Sequence, residues 1–174
     1  ICGVGAFTAV FAATMGLVVI DIKRVLAYSS ISQLAYMFAA IGLGAYGPAI
    51  FHLITHAFFK ALLFLCSGSV NHTTHTFDMR EMGGLRKYMP WTYGLMMVSS
   101  LSLIGLPPLS GFWSKDEIML SAWGKMLHGS GFELIILIML GLGVVLTAFY
   151  TWRMISLTFF GEYRGHNNNT ADNS

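Results

Sequence analysis

The sequence predicts an all-α polytopic membrane protein with five transmembrane spans, the fourth of them a broken helix. Three observations carry that prediction. First, of 174 residues, 55% are hydrophobic and only 10% are charged, and the mean hydropathy is +0.65. Soluble domains carry about 25% charged residues, and so few charges cannot cover a soluble globule. The abundance of Phe, Leu, Ile and Met excludes disorder just as firmly. Second, the apolar runs are continuous over roughly 20 residues, the length a helix needs to cross the hydrocarbon core, where barrel strands would alternate. Third, the basic residues between the runs sort to one side.

The first span, 1–20, carries no charge. The short loop Asp21-Ile22-Lys23-Arg24 follows, with Asp21 placed to cap the next helix, balance the two cations or sit at a channel mouth. The second span is 25–45, and the uncharged turn Tyr46-Gly47-Pro48 leads to the third, 49–70. A long polar loop, 71–90, holds His72, His75 and Asp78, which read as solvated. The fourth span, 91–120, contains Gly105-Leu-Pro107-Pro108-Leu-Ser-Gly111. Each proline removes a backbone donor, and the residue before a proline avoids helical geometry. Two half-helices with an unwound centre are therefore expected. Irregular backbone at membrane depth is tolerated only where it faces protein or a wet cavity, and broken helices recur at transporter ion sites. The alternative is that 105–120 is an extramembrane loop with a charged end. The fifth span is 132–160. Residues 1–160 thus read as a single transmembrane domain and 161–174 as the polar tail of a truncated chain, because the sequence opens inside an apolar run.

The connections after spans one and three hold Lys23, Arg24, Arg80, Arg86 and Lys87, and the end of span five holds Arg153 and Arg164, against Lys125 alone on the other side. The positive-inside rule predicts that the basic side is cytoplasmic, with the N-terminus outside and the tail inside. A bacterial plasma membrane or an organellar inner membrane is expected. Nucleic acid is not an expected partner, since Lys23-Arg24 and Arg86-Lys87 are the only adjacent basic pairs.

Lys60 and Lys115 remain, each inside a span. An intramembrane lysine costs about 2.5–3.5 kcal/mol on insertion scales. Span three reads His52-Leu-Ile-Thr-His56-Ala-Phe-Phe-Lys60. Steps of four rotate a helix face little, so the three form one stripe about 12 Å long. All three side chains take up and release protons, which is what a proton relay requires. The bland alternative is that the histidines only bond neighbouring helices. His-x3-His is zinc spacing, but two ligands are too few, so no metal is expected. On span two, Tyr28, Ser29, Ser32, Gln33 and Tyr36 form a polar stripe that could line a water file or join helices. Cys2 and Cys66 lack CxxC spacing. Gly42-x-Gly44-x-x-Gly47 ends a helix where a dinucleotide loop would follow a strand. Asn71-His-Thr73 and Asn168-Asn-Thr170 fit the glycosylation pattern but fall on the basic side, where none is expected. No redox site and no cofactor are expected in this chain.

Asp21-Ile-Lys-Arg-Val-Leu-Ala-Tyr-Ser-Ser-Ile-Ser-Gln33, Phe51-His-Leu-Ile-Thr-His-Ala-Phe-Phe-Lys-Ala-Leu-Leu-Phe-Leu65, Met82-Gly-Gly-Leu-Arg86 and Gly111-Phe-Trp-Ser-Lys-Asp-Glu-Ile118 resemble the antiporter-like membrane subunits of NADH-quinone oxidoreductase, respiratory complex I. The resemblance covers nearly the whole chain. It implies one of two inverted five-helix repeats and a proton-translocating role coupled to quinone reduction elsewhere in the complex. It further implies that Lys60 is the central relay lysine and that His52 and His56 link to it. Lys115 becomes the terminal proton site, with Asp116 modulating it. Implied partners are other membrane subunits, especially a neighbouring antiporter-like subunit, and the lipid bilayer. The family often has a single Gly or Pro where this chain has Pro107-Pro108. Large subunits of multisubunit Na⁺/H⁺ antiporters and membrane subunits of energy-converting hydrogenases share these motifs and remain the alternative. A purely structural polar axis is the other.

Overall fold

A computed structural model describes residues 1–129 and 131–164, which fold into six helices. These are α1 (Cys2–Val18), α2 (Ile22–Gly42), α3 (Tyr46–Thr74), α4 (Pro90–Ile104), α5 (Ser110–His128) and α6 (Gly131–Phe159). The expected tail beyond Arg164, with its Asn168-Asn-Thr170 pattern, lies outside the described residues. Among the described residues, α2, α3 and α6 are long and apolar enough to cross a membrane, and α1 is a shorter apolar helix.

Three helix ends differ from the sequence expectation. The loop 21–24 does not exist as a loop. Asp21 caps α2 by accepting the Arg24 amide at 3.0 Å, so Lys23 and Arg24 belong to the first helical turn. Similarly, α3 runs past the apolar span to Thr74, which takes His72 into the helix. His75 closes α3 in the left-handed conformation, with φ 55°. At the far end, Lys125 lies within α5, where a loop position was expected.

Helices α1 and α2 pack through small residues. Gly5, Ala6, Ala9, Ala12, Ala13 and Gly16 are buried on one face of α1. A Cβ on Gly5 would stand 2.6 Å from the Ala39 amide nitrogen, so only glycine permits this crossing. Between apolar helices in lipid, close backbone approach and van der Waals contact do the work that the hydrophobic effect does in water.

The connections 19–21, 75–89 and 160–164 meet at one end of the bundle. Ile22 donates to the Phe77 carbonyl at 3.0 Å and Met79 to the Ile20 carbonyl at 3.1 Å, pairing Asp21 with Asp78 as an isolated antiparallel bridge. The Gly84 and Arg86 amides donate to the Phe160 and Phe159 carbonyls. Arg153 reaches across to the Leu17 and Val19 carbonyls at 2.7 and 3.0 Å, satisfying the C-terminus of α1. His72 and His75 are exposed, as expected, but the connection 75–89 also has a buried side. It buries Met79, Met82 and Leu85 against the bundle.

The core divides into two apolar clusters. One, toward that basic end, contains Val25, Leu26, Leu63, Leu103 and Tyr150. The other contains Ala35, Tyr36, Ala49, Ile118 and Leu140. On each of four chain segments the residues lying between the two clusters are buried polar side chains: Ser29, Ser32 and Gln33 on α2; His52, Thr55 and His56 on α3; Ser114 and Lys115 on α5; Thr147 on α6. A polar layer therefore crosses the bundle.

Candidate functional site

The stripe expected on α3 is buried throughout: His52 is 0% exposed, His56 7% and Lys60 5%. Its members are held differently. The His52 ring bridges two helices, with Nδ1 at 2.8 Å from the Ser114 hydroxyl on α5 and Nε2 at 3.0 Å from Gln33 Oε1 on α2. The His52 and His56 ring centroids are 6.1 Å apart. His56 packs edge-on against Phe59, and its Nε2 is buried without a hydrogen-bond partner. Lys60 donates from Nζ to the Leu26 carbonyl on α2 at 3.1 Å. Among the described residues no carboxylate pairs with it.

Lys115 is 4% exposed and lies in the early part of α5. Residues 105–109 between α4 and α5 are not helical. Gly105 closes α4 with φ 90°, a left-handed conformation that suits glycine. The Lys115 ammonium donates to the Leu103 carbonyl and, at 3.4 Å, to the Ile104 carbonyl, at the C-terminus of α4. The negative end of a helix dipole thus faces the positive charge. The elbow is tight, because a Cβ on Gly111 would collide with the Ser102 carbonyl oxygen. Ser102 Oγ accepts the Gly111 amide at 3.3 Å and lies 3.1 Å from Ser110 Oγ.

The remaining expected residues divide. Ser32 is buried and donates to the Ala9 carbonyl at 2.8 Å, and the buried Tyr36 hydroxyl donates to the Leu140 carbonyl, so both join helices. Tyr28 is only half-buried and Asp116 is exposed. Asp116 lines, with Lys115, Gly105, Phe112 and Met119, a cavity of about 360 Å³ beside the elbow. Asp21 stands at the basic end, away from the layer, with its carboxylate committed to capping α2. Pro107 and Pro108 occupy the non-helical elbow.

Sequence reasoning missed several members of the layer. Ser114 and Thr55 connect the α3 stripe to α5, and Thr147, Thr151 and Tyr150 supply hydroxyls from α6. The Tyr150 hydroxyl meets Ser29 Oγ at 2.7 Å. The signal for α6 was weak: hydroxyls at 147, 150, 151, 156 and 158 on a helix that also carries Glu133 and Arg153.

Two buried lysines, with no carboxylate partner among the described residues, stand on apolar helices of a membrane domain. The chain belongs to the NADH:quinone oxidoreductase/Mrp antiporter transmembrane family, whose profile matches residues 1–147. It is 51% identical over 174 residues to NADH-quinone oxidoreductase subunit L of Rhodobacter capsulatus, covering 93% of this chain and 24% of that protein. It is 46% identical over 179 residues to NAD(P)H-quinone oxidoreductase chain 5 of Synechocystis sp., covering 97% and 25%. It is 48% identical over 169 residues to NADH-ubiquinone oxidoreductase chain 5 of Allomyces macrogynus, covering 95% and 25%. The chain therefore spans about a quarter of the length of the curated relatives it matches.

Proposed function

We propose that this chain is part of a proton-translocating membrane subunit of NADH:quinone oxidoreductase, and that the polar layer is its proton relay. The observation that carries this is the buried stripe His52, His56, Lys60, which meets Lys115 through Ser114 and holds its two ammonium groups on carbonyls alone. A structural layer would neutralise such cations with carboxylates, since an unpaired buried charge costs several kcal/mol. Protons enter through the histidines, rest on Lys60 and leave by way of Lys115 and the cavity that Asp116 lines. Tyr28, Ser32 and Tyr36 flank the path, and Asp21 belongs to its basic-side mouth.

The length of α4 supports five spans. Helix α4, with 15 residues, rises about 22 Å, short of the roughly 30 Å hydrocarbon core; joined to α5 through the elbow it completes one broken crossing. The gathering of the basic connections at one end supports assigning that end to the cytoplasm of a bacterium or the matching side of an organellar inner membrane. Redox chemistry is assigned to other subunits, with no cofactor held here; the adjoining half of the protein is the assigned source of protons, and a neighbouring antiporter-like subunit is an assigned partner.

The test is NADH-driven acidification of inverted membrane vesicles carrying native or Lys60→Met full-length subunit. The relay requires acidification to fall with the complex assembled. Loss of Na⁺-induced pH collapse with NADH-driven pumping intact would instead identify an antiporter subunit. No change in either would make the layer structural.

A further inference from the structure

We propose that Ser114 is the positioning group that couples the protonation of His52 to the first turns of α5, where Lys115 adjoins it; this rests on the relay assigned above. The Ser114 side chain is 0% exposed and carries one proton, yet three polar atoms surround it. His52 Nδ1 lies at 2.8 Å, the Gly111 carbonyl at 3.3 Å and Thr55 Oγ1 at 3.2 Å. On the far side of the ring Gln33 Oε1 can only accept, so Nε2 keeps its proton and Nδ1 is the nitrogen that titrates. With Nδ1 bare, Ser114 donates to it. With Nδ1 protonated, the ring donates to Ser114 Oγ, and the hydroxyl proton turns to the Gly111 carbonyl. Thr55 can donate to the serine oxygen in either state, or fall back on the His52 carbonyl at 3.1 Å. No buried group is orphaned by the exchange.

The Gly111 carbonyl is not an arbitrary acceptor. By helix geometry it also takes the backbone amide of Lys115, four residues on. The Gly111 amide is held by Ser102 of α4 at 3.3 Å, at the tightest point of the elbow. The position of one hydroxyl proton is thereby joined, through a single residue, to the backbone that aims Lys115 at the α4 carbonyls. Histidine chemistry on α3 and lysine position on α5 become two readings of one state.

The test uses full-length subunit in its complex, in inverted vesicles, with Ser114→Ala, Ser114→Thr and Lys60→Met compared for acidification per NADH oxidised. Ser114→Ala is expected to slow acidification roughly fivefold, the factor that a hydrogen bond of about 1 kcal/mol commands. Ser114→Thr, which restores the hydroxyl, is expected to recover most of it. Native pumping by Ser114→Ala, or equal losses in the Ala and Thr variants, overturns the proposal while a Lys60→Met loss leaves the relay standing. If Lys60→Met also pumps normally, the relay itself fails. Should Ser114→Ala not assemble, Ser114→Cys decides, because the thiol conserves volume but is a weak donor: slowed pumping is expected and native pumping overturns.

Discussion

Replacing Lys60 by Met separates a costly functional cation from a structural one, because the two roles predict opposite changes in stability. Lys60 is 5% exposed and donates to the Leu26 carbonyl at 3.1 Å, and its charged neighbourhood is the other buried lysine, Lys115. An intramembrane lysine costs about 2.5–3.5 kcal/mol. One charge-assisted hydrogen bond returns about 1.5–3 kcal/mol. Methionine avoids the first term, forfeits the second and fills nearly the same volume, so the net change is expected between a loss of about 0.5 and a gain of about 2 kcal/mol. The measurement is the thermal unfolding midpoint of the purified, assembled complex, read beside vesicle acidification. A midpoint near or above native, with pumping lost, is expected. A midpoint clearly below native would show that Lys60 holds helices together, and the desolvation reasoning would be refuted.

Gly5→Ala places a methyl 2.6 Å from the Ala39 nitrogen and 2.9 Å from the Ala35 carbonyl oxygen. It is expected to cost about 1–3 kcal/mol through helix separation, measured as a lowered unfolding midpoint, while Gly124→Ala, with open space around its Cβ, is expected to cost nothing. At the basic end, Arg80 hydrogen-bonds Asp78 through side chain and backbone and holds its carboxyl below the usual carboxylate range. Because the folded value is depressed, the contribution of this pair is present above the ordinary carboxylate range and is lost as pH falls through the depressed value. The protection factors of 75–89, taken relative to intrinsic amide exchange at each pH, should therefore fall at acid pH in the native chain, and Asp78→Asn should show the lowered protection already at neutral pH.

How much of this was legible in the sequence follows from contrast. A lysine in an apolar run stands out because hydrocarbon penalises it so heavily, and the periodicity of His52, His56 and Lys60 put all three on one face of α3. The glycines and prolines at 105–111 marked the elbow for the same reason: few residues alter backbone geometry so strongly. Ser114, Thr55 and Thr147 gave no such contrast. A hydroxyl in a helix can return its proton to a carbonyl one turn back, as Thr147 does to Gly143 at 2.7 Å, so its presence costs little and says little. The buried side of the connection 75–89 was not legible because its anchoring is non-local. Met79, Met82 and Leu85 become core residues only once Phe77 and Met79 pair with the segment before α2.

The two prolines of the elbow bear on Lys115 more directly than a kink would require. In a continuing α-helix the Leu103 carbonyl would accept the amide of residue 107 and the Ile104 carbonyl that of residue 108. Both positions are proline, which has no amide proton. The preceding carbonyls, Leu101 and Ser102, are satisfied by the Gly105 and Leu106 amides of the cap. The prolines therefore leave free the two acceptors that the Lys115 ammonium occupies. Break and lysine are coupled: the interruption supplies the partial negative charge that faces the ammonium. Pro107→Ala/Pro108→Ala returns both donors and sets them in competition with a lysine that gains about 1.5–3 kcal/mol from each charge-assisted bond. Slower vesicle acidification in an assembled complex is expected, and a second Lys115→Met substitution should add little to it. Native pumping by the double-alanine chain, or a fully additive loss, would show that the carbonyls and the lysine act apart.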